Sequence, residues 1–198
     1  MSPSGAPSAD AEESRALINM TLASHREVVL ALASRPVTQR RLPRIEVDRE
    51  QLQRQATLVR FLSITESFCS RRLLIEMQSL VNPDHNAVIA QIWDKAFDSA
   101  TNSWDNQRRA FKEWLNVDPN LWKKVINLTE ARNAVAHGFG SLTQKQQRHR
   151  ESTRSKLKEH SIALVGDHVF LTEEAIGEAA DTCRTFILKI DQGINNSP

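Results

Sequence analysis

The strongest constraint on this chain is the spacing of its apolar residues, which recur at three and four positions along most of its length and alternate as a strand would in only one short stretch. Between Ala11 and Ser34, the residues Leu17, Ile18, Leu22, Val28, Val29 and Leu32 keep a helical period, and Pro36 ends it. A longer run follows through Leu58, Phe61, Leu62, Phe68, Cys69, Leu73 and Leu80, until Asn82-Pro83 blocks it. Pro83-Asp84 opens a third run through Ile89, Ile92, Trp93 and Phe97. Trp104 to Leu115 predicts a shorter amphipathic helix, and Asp118-Pro119-Asn120 is a turn that starts the next one, Leu121 to about His137. Gly138 and Gly140 are placed to end that helix, because residues just past a helix end commonly need positive φ.

The remaining segments are shorter. Arg35 to Arg49 holds two prolines and five arginines and predicts a basic linker crossing the bundle surface. Gln144 to His160 is a basic helical stretch. Ala163 to Leu171 has two β-prone runs around Gly166-Asp167, the pattern of a small hairpin. Thr172, with Glu173 and Glu174, supplies a cap and an acidic first turn for a last helix over Ala175 to Ile190. Met1 to Asp10 is rich in Ser, Pro, Gly and Ala and predicts a disordered N-terminus, with residues 11–198 as one domain. The expected fold is mostly α: an up-and-down helix bundle with extra short helices and one small β-hairpin.

Composition narrows the function classes. With 40% hydrophobic and 25% charged residues, the chain has the make-up of a soluble globular protein. No run approaches the roughly 18 apolar residues that cross a bilayer, so a membrane partner is not expected. A formal charge of +2 does not by itself indicate nucleic acid. Cys69 and Cys183 stand apart in apolar helical contexts, without the spacing of a zinc site or redox pair, and no secretory segment is recognisable. A reducing cytoplasm is therefore the expected setting, and neither a metal nor a cofactor is implied.

The helix ending at His137 carries the residues with chemistry. On a helical wheel Trp122, Val125, Ile126, Thr129 and Ala136 share an arc that Arg132 and Asn133 interrupt, and a charge on a burying face needs a partner or a wet cavity. Glu130, Asn133 and His137 share a neighbouring stripe. Arg132 and His137, five residues apart, diverge by about 140° around an ideal helix, so a single copy is not expected to bring them together unless the helix unwinds at Gly138. Two copies packed about a two-fold axis would pair the motifs into one composite site. Two imidazoles can then act as base and acid while two guanidiniums hold a phosphate, which is what metal-free RNA cleavage by the ribose 2′-OH requires. The plainer reading is structural: His137 favoured by the helix dipole and Arg132 capping a carboxylate.

Leu128 to Gly138, with Arg132-Asn133-Ala134-Val135-Ala136-His137 at its end, resembles the HEPN superfamily, in particular prokaryotic defence and toxin members of the RiboL-PSP or MAE kind. The resemblance extends over the bundle from about the second helix onward. It implies Arg132 and His137 as catalytic, Asn133 as positioning the histidine, a homodimer, an endoribonuclease leaving a 2′,3′-cyclic phosphate, and a toxin or phage-defence setting with a possible antitoxin or other defence-system partner. Inactive HEPN domains that bind RNA, a nucleotide or a protein are the alternative it leaves open. Glu66, on the second helix beside Phe68 and Cys69, is a candidate to pair with Arg132. The basic run containing Lys145, Arg148 and Arg150 follows the motif and is a candidate RNA track. Arg71-Arg72 and Arg108-Arg109 read as solvated helix faces, and His25, His85, His149, His160 and His168 as solvated surface or loop residues.

Overall fold

Ser8 starts the first helix: its hydroxyl accepts from the Ala11 N–H, and Asp10 and Glu12 place negative charge in the first turn. The computed structural model describes residues 6–34, 48–80 and 87–195. Within them the helices are α1 (Ala9–Ala33), α2 (Arg49–Leu80), α3 (Ala87–Thr101), α4 (Trp104–Leu115), α5 (Lys123–Gly138), α6 (Gln144–Arg148), α7 (Arg150–Lys158) and α8 (Glu173–Asn195). The strands β1 (Ala163–Val165) and β2 (His168–Phe170) complete a mostly helical fold with one small antiparallel sheet. The expected disordered start is corrected at its inner end, since Ser8 to Asp10 are ordered by the cap and by Asp191, which accepts from the Ser8 N–H at 2.8 Å. Residues 1–5, most of the basic linker, and Pro83, Asp84 and His85 lie outside the described residues.

α1, α2 and α8 pack on one another, and α5 lies against both α2 and α8. Ile18, Phe61, Phe68, Leu128, Ile176 and Ile187 fill the space between them and are fully buried. Removing such apolar surface from water is the main drive for the assembly. Trp122, at the end of a 3₁₀ turn (Pro119–Trp122), anchors the entry to α5; its ring meets Trp104, Phe111 and Phe186 edge-on at 6.2, 5.3 and 5.0 Å. The turn expected at Asp118-Pro119-Asn120 is thus a 3₁₀ segment, and α5 begins two residues later than its periodicity suggests.

Polar residues also work inside the bundle. Arg72 is buried, not solvated, and its Nε donates to Asp191 of α8 at 3.1 Å. His25 is buried as well: its ring bonds Thr57 Oγ1 at 2.9 Å and Glu173 at 3.1 Å, tying α1 to α2 and to the first turn of α8. His160 is buried too. Both thiols are buried and unpaired, and burial pushes Cys183 up to about 12 and Cys69 well above the ordinary range, so neither is a reactive group.

The hairpin pairs Ala163 with Phe170, Leu164 with Val169 and Val165 with His168, turning at Gly166, whose φ is 63°. Its neighbour is the segment that leaves α5. Val169 N–H donates to the Gly140 carbonyl and Leu142 N–H to the Asp167 carbonyl, each at 2.8 Å, while Ser141 bridges to His168. The hairpin therefore braces the chain immediately after the motif.

Candidate active site

α5 packs on several sides, against α2, α7, α8 and the hairpin, and mixes polar and apolar residues around its circumference. Val125, Leu128, Ala131 and Ala134 are completely buried, whereas Ala136, expected on the buried arc, is exposed. The burying face is therefore rotated from the one read on the wheel, and Arg132 and Asn133 sit half-buried at its border. His137 is exposed in the last turn.

The helix does not unwind at Gly138. The left-handed residue that ends it is Phe139, with φ 52°, followed by Gly140 at 90°, and the Gly140 N–H returns to the Ala134 carbonyl at 3.0 Å. With the helix intact, Arg132 Nη1 still lies 3.4 Å from His137 Nε2, which corrects the expectation that one chain keeps them apart. The wheel angle describes Cβ directions, and the long arginine stem covers the remaining separation. Nη1 also donates to Asn133 Oδ1 at 3.3 Å. These contacts are long for N–H donors, and Arg132 makes no ion pair among the described residues, so most of its five N–H groups remain free for an anion.

A cavity of about 270 Å³ opens beside the motif. Arg132, Asn133 and Thr129 line it from α5, Glu66 from α2, and Trp104 and Asp105 from the start of α4. The Glu66 carboxyl is half-buried; burial pushes its pKa up, the charge of Arg132 pulls it back, and the balance lies above the ordinary carboxylate value. The two share the cavity and act on each other through space, but the expected ion pair does not form. The α4 start was not among the sequence candidates; its signal was the cap formed by Ser103, which accepts from Asn106 N–H at 3.2 Å and fixes where the first turn begins.

Other candidates fall elsewhere. Glu130 is taken up by the following helices, accepting from Lys156 Nζ at 2.7 Å and Gln146 Nε2 at 2.9 Å, and does not line the cavity. Arg150 is bound to the hairpin turn, at 2.8 Å from the Gly166 carbonyl and 3.1 Å from Asp167. Lys145 and Arg148 are exposed and carry no ion pair among the described residues. No group of three or more His, Cys, Asp or Glu side chains suited to a metal ion occurs among the described residues, and no described helix is long and apolar enough to cross a membrane. No protein-family model, curated protein or solved structure matches the chain.

Proposed function

We propose that this chain is a metal-independent endoribonuclease of the HEPN kind, working as a homodimer in a cytoplasmic toxin or phage-defence setting. The observation that carries the reading is the meeting of Arg132 and His137 at 3.4 Å on the exposed end of α5, with no ion pair from the guanidinium to a carboxylate among the described residues. Arg132 holds the phosphate and stabilises the charge that develops on it. A neutral imidazole takes the proton of the ribose 2′-OH as that oxygen bonds to phosphorus, the bond from phosphorus to the 5′ oxygen breaks, and an imidazolium protonates the departing oxygen. The products are a 2′,3′-cyclic phosphate and a 5′-hydroxyl. The step uses two proton carriers and one chain offers one exposed histidine beside the arginine, so the second comes from the partner's motif across a two-fold axis. Asn133, in contact with Arg132, orients the guanidinium.

The test is cleavage of end-labelled RNA by the full chain in EDTA, with the product ends identified chemically. Cleavage to a cyclic phosphate that disappears in His137→Ala and Arg132→Ala supports the reading. Cleavage unaffected by His137→Ala, or ends without a cyclic phosphate, overturns the mechanism. A strictly monomeric active enzyme in sedimentation removes the dimer.

A further inference from the structure

The chemistry proposed above uses the outer edge of the motif and leaves the adjoining cavity without a task. Glu66 is the residue that makes this cavity unusual. It reaches the cavity from α2 half-buried, yet it has no hydrogen bond and no ion pair among the described residues. A half-buried carboxylate with no protein donor is partly shielded from water, and a ligand carrying N–H groups would supply the bonds the protein does not. The neighbouring walls differ in kind: Trp104 and Ile126 are apolar and flat or broad, while Asn133 offers an amide. Arg132 connects the two halves, since it lines the cavity and its Nη1 lies 3.4 Å from His137. A nucleotide whose phosphate rests on Arg132 has its base within reach of this space. At about 270 Å³ the cavity falls just under the usual range of roughly 300–1,000 Å³ for small-molecule sites, which suits one base and not two.

The carboxylate also discriminates among bases. Its two oxygens accept two parallel N–H bonds, and guanine presents such a pair in its N1–H and N2–H. Adenine and cytosine place an acceptor next to their amino group, and uracil flanks its one N–H with two carbonyls; each would set an oxygen lone pair or ring nitrogen against the carboxylate. An apolar wall beside the base is how single-stranded RNA is commonly gripped.

We propose that the cavity between α2, α4 and α5 holds a guanine next to the cleaved phosphate, with Glu66 accepting from its N1–H and N2–H and Trp104 and Ile126 lying against the ring. The assignment rests on the ribonuclease reading for its place in a reaction, and on the cavity alone for its ligand.

Two measurements on the full chain, at mildly alkaline pH where the carboxyl is ionised, separate these. The first maps cut sites in a randomised RNA. Guanine is expected at one fixed position beside the cut, and Glu66→Gln, which replaces one acceptor oxygen by a donor, is expected to lower that preference about ten- to a hundredfold. Cutting without base preference, or with the same preference in Glu66→Gln, overturns the guanine pocket and leaves the ribonuclease reading intact. The second is calorimetric titration with guanosine 3′-monophosphate and adenosine 3′-monophosphate. The guanosine nucleotide is expected to bind about tenfold or more tightly, with the difference lost in Glu66→Gln. Equal binding of the two overturns the pocket; a guanosine preference in a chain that cuts no RNA keeps the pocket and removes the nuclease.

Discussion

Two arginines on bundle helices, Arg72 and Arg132, show how differently one residue type is used in this molecule. Arg72 is 8% exposed and fully engaged: it donates to Asp191 at 3.1 Å and Asn195 at 3.0 Å, and pairs with Glu76 at 2.5 Å. Asp191, with no exposed surface, also accepts the Ser8 N–H and hydroxyl, so the cluster fastens the start of α1 to the end of α8. Arg132 has two long contacts, no ion pair among the described residues, and an open cavity beside it. A buried charge whose three nitrogens each have a partner serves the fold, because removing a charged partner strands the other. A half-buried guanidinium with free donors does little for the fold and is ready to bind an anion.

The largest expected effect tests the Arg132 side. His137→Ala and Arg132→Ala should each lower RNA cleavage by about 10²–10⁴-fold, while urea unfolding changes by no more than about 0.5 kcal/mol. A loss of stability matching the loss of activity would break the comparison, since the motif would then be holding the bundle. The mirror experiment is Asp191→Ala. Leaving Arg72 without its buried carboxylate should cost about 3–5 kcal/mol in the same unfolding assay, with cleavage per folded molecule unchanged.

How much of this contrast was legible in the sequence depends on the range of the interactions. Local signals carried far: the period of α4 matches its observed bounds, Thr172 caps α8 through the Ala175 N–H at 3.1 Å, and Gly166-Asp167 turns the hairpin. The Arg132-to-His137 string sits at the end of a helix as its apolar spacing and glycines imply. The role of Arg72 was not legible, because its partner Asp191 lies 119 positions away and Arg71-Arg72 resembles any solvated pair. Nor was the rotation of α5, since a helix enclosed on many sides has little contrast between its faces. Glu130 shares a stripe with His137, but its fate was decided by Lys156 and Gln146, which only the fold brings near. The glycine rule holds at Gly140, whose φ is 90°, and fails at Gly138, which stays in the helix while Phe139 takes the left-handed position next to it.

A smaller effect concerns a buried histidine, His160. Burial pushes His160 below its ordinary 6.5, the backbone of Lys124 and the charges of Glu159 and Glu178 opposing this only in part, and Nε2 has no partner. A folded-state pKa below the unfolded one favours the neutral ring in the native protein. Its contribution to stability is therefore complete above about pH 6.5 and declines as the pH falls through the folded-state value. Thermal unfolding midpoints should drop as the pH is lowered through this window, and His160→Leu should flatten the slope. A slope unchanged in His160→Leu would show that this ring does not carry the dependence.

The smallest effect concerns Phe139. Its ring is 96% exposed, and its backbone occupies the left-handed region at φ 52°, so it contributes little packing while carrying a conformational cost of about 1–2 kcal/mol for an L side chain. Glycine removes that cost but loses about 0.5–1 kcal/mol through its freer unfolded chain. Phe139→Gly should therefore unfold in urea at the wild-type stability or up to about 1 kcal/mol above it. A clear destabilisation would show that the ring packs and belongs with the fold. With stability kept, cleavage decides its side of the comparison: unchanged cleavage places the ring outside the site, whereas reduced cleavage joins it to Arg132 and His137, because an exposed ring held at a strained position two residues beyond the histidine then acts on the RNA or on the second copy.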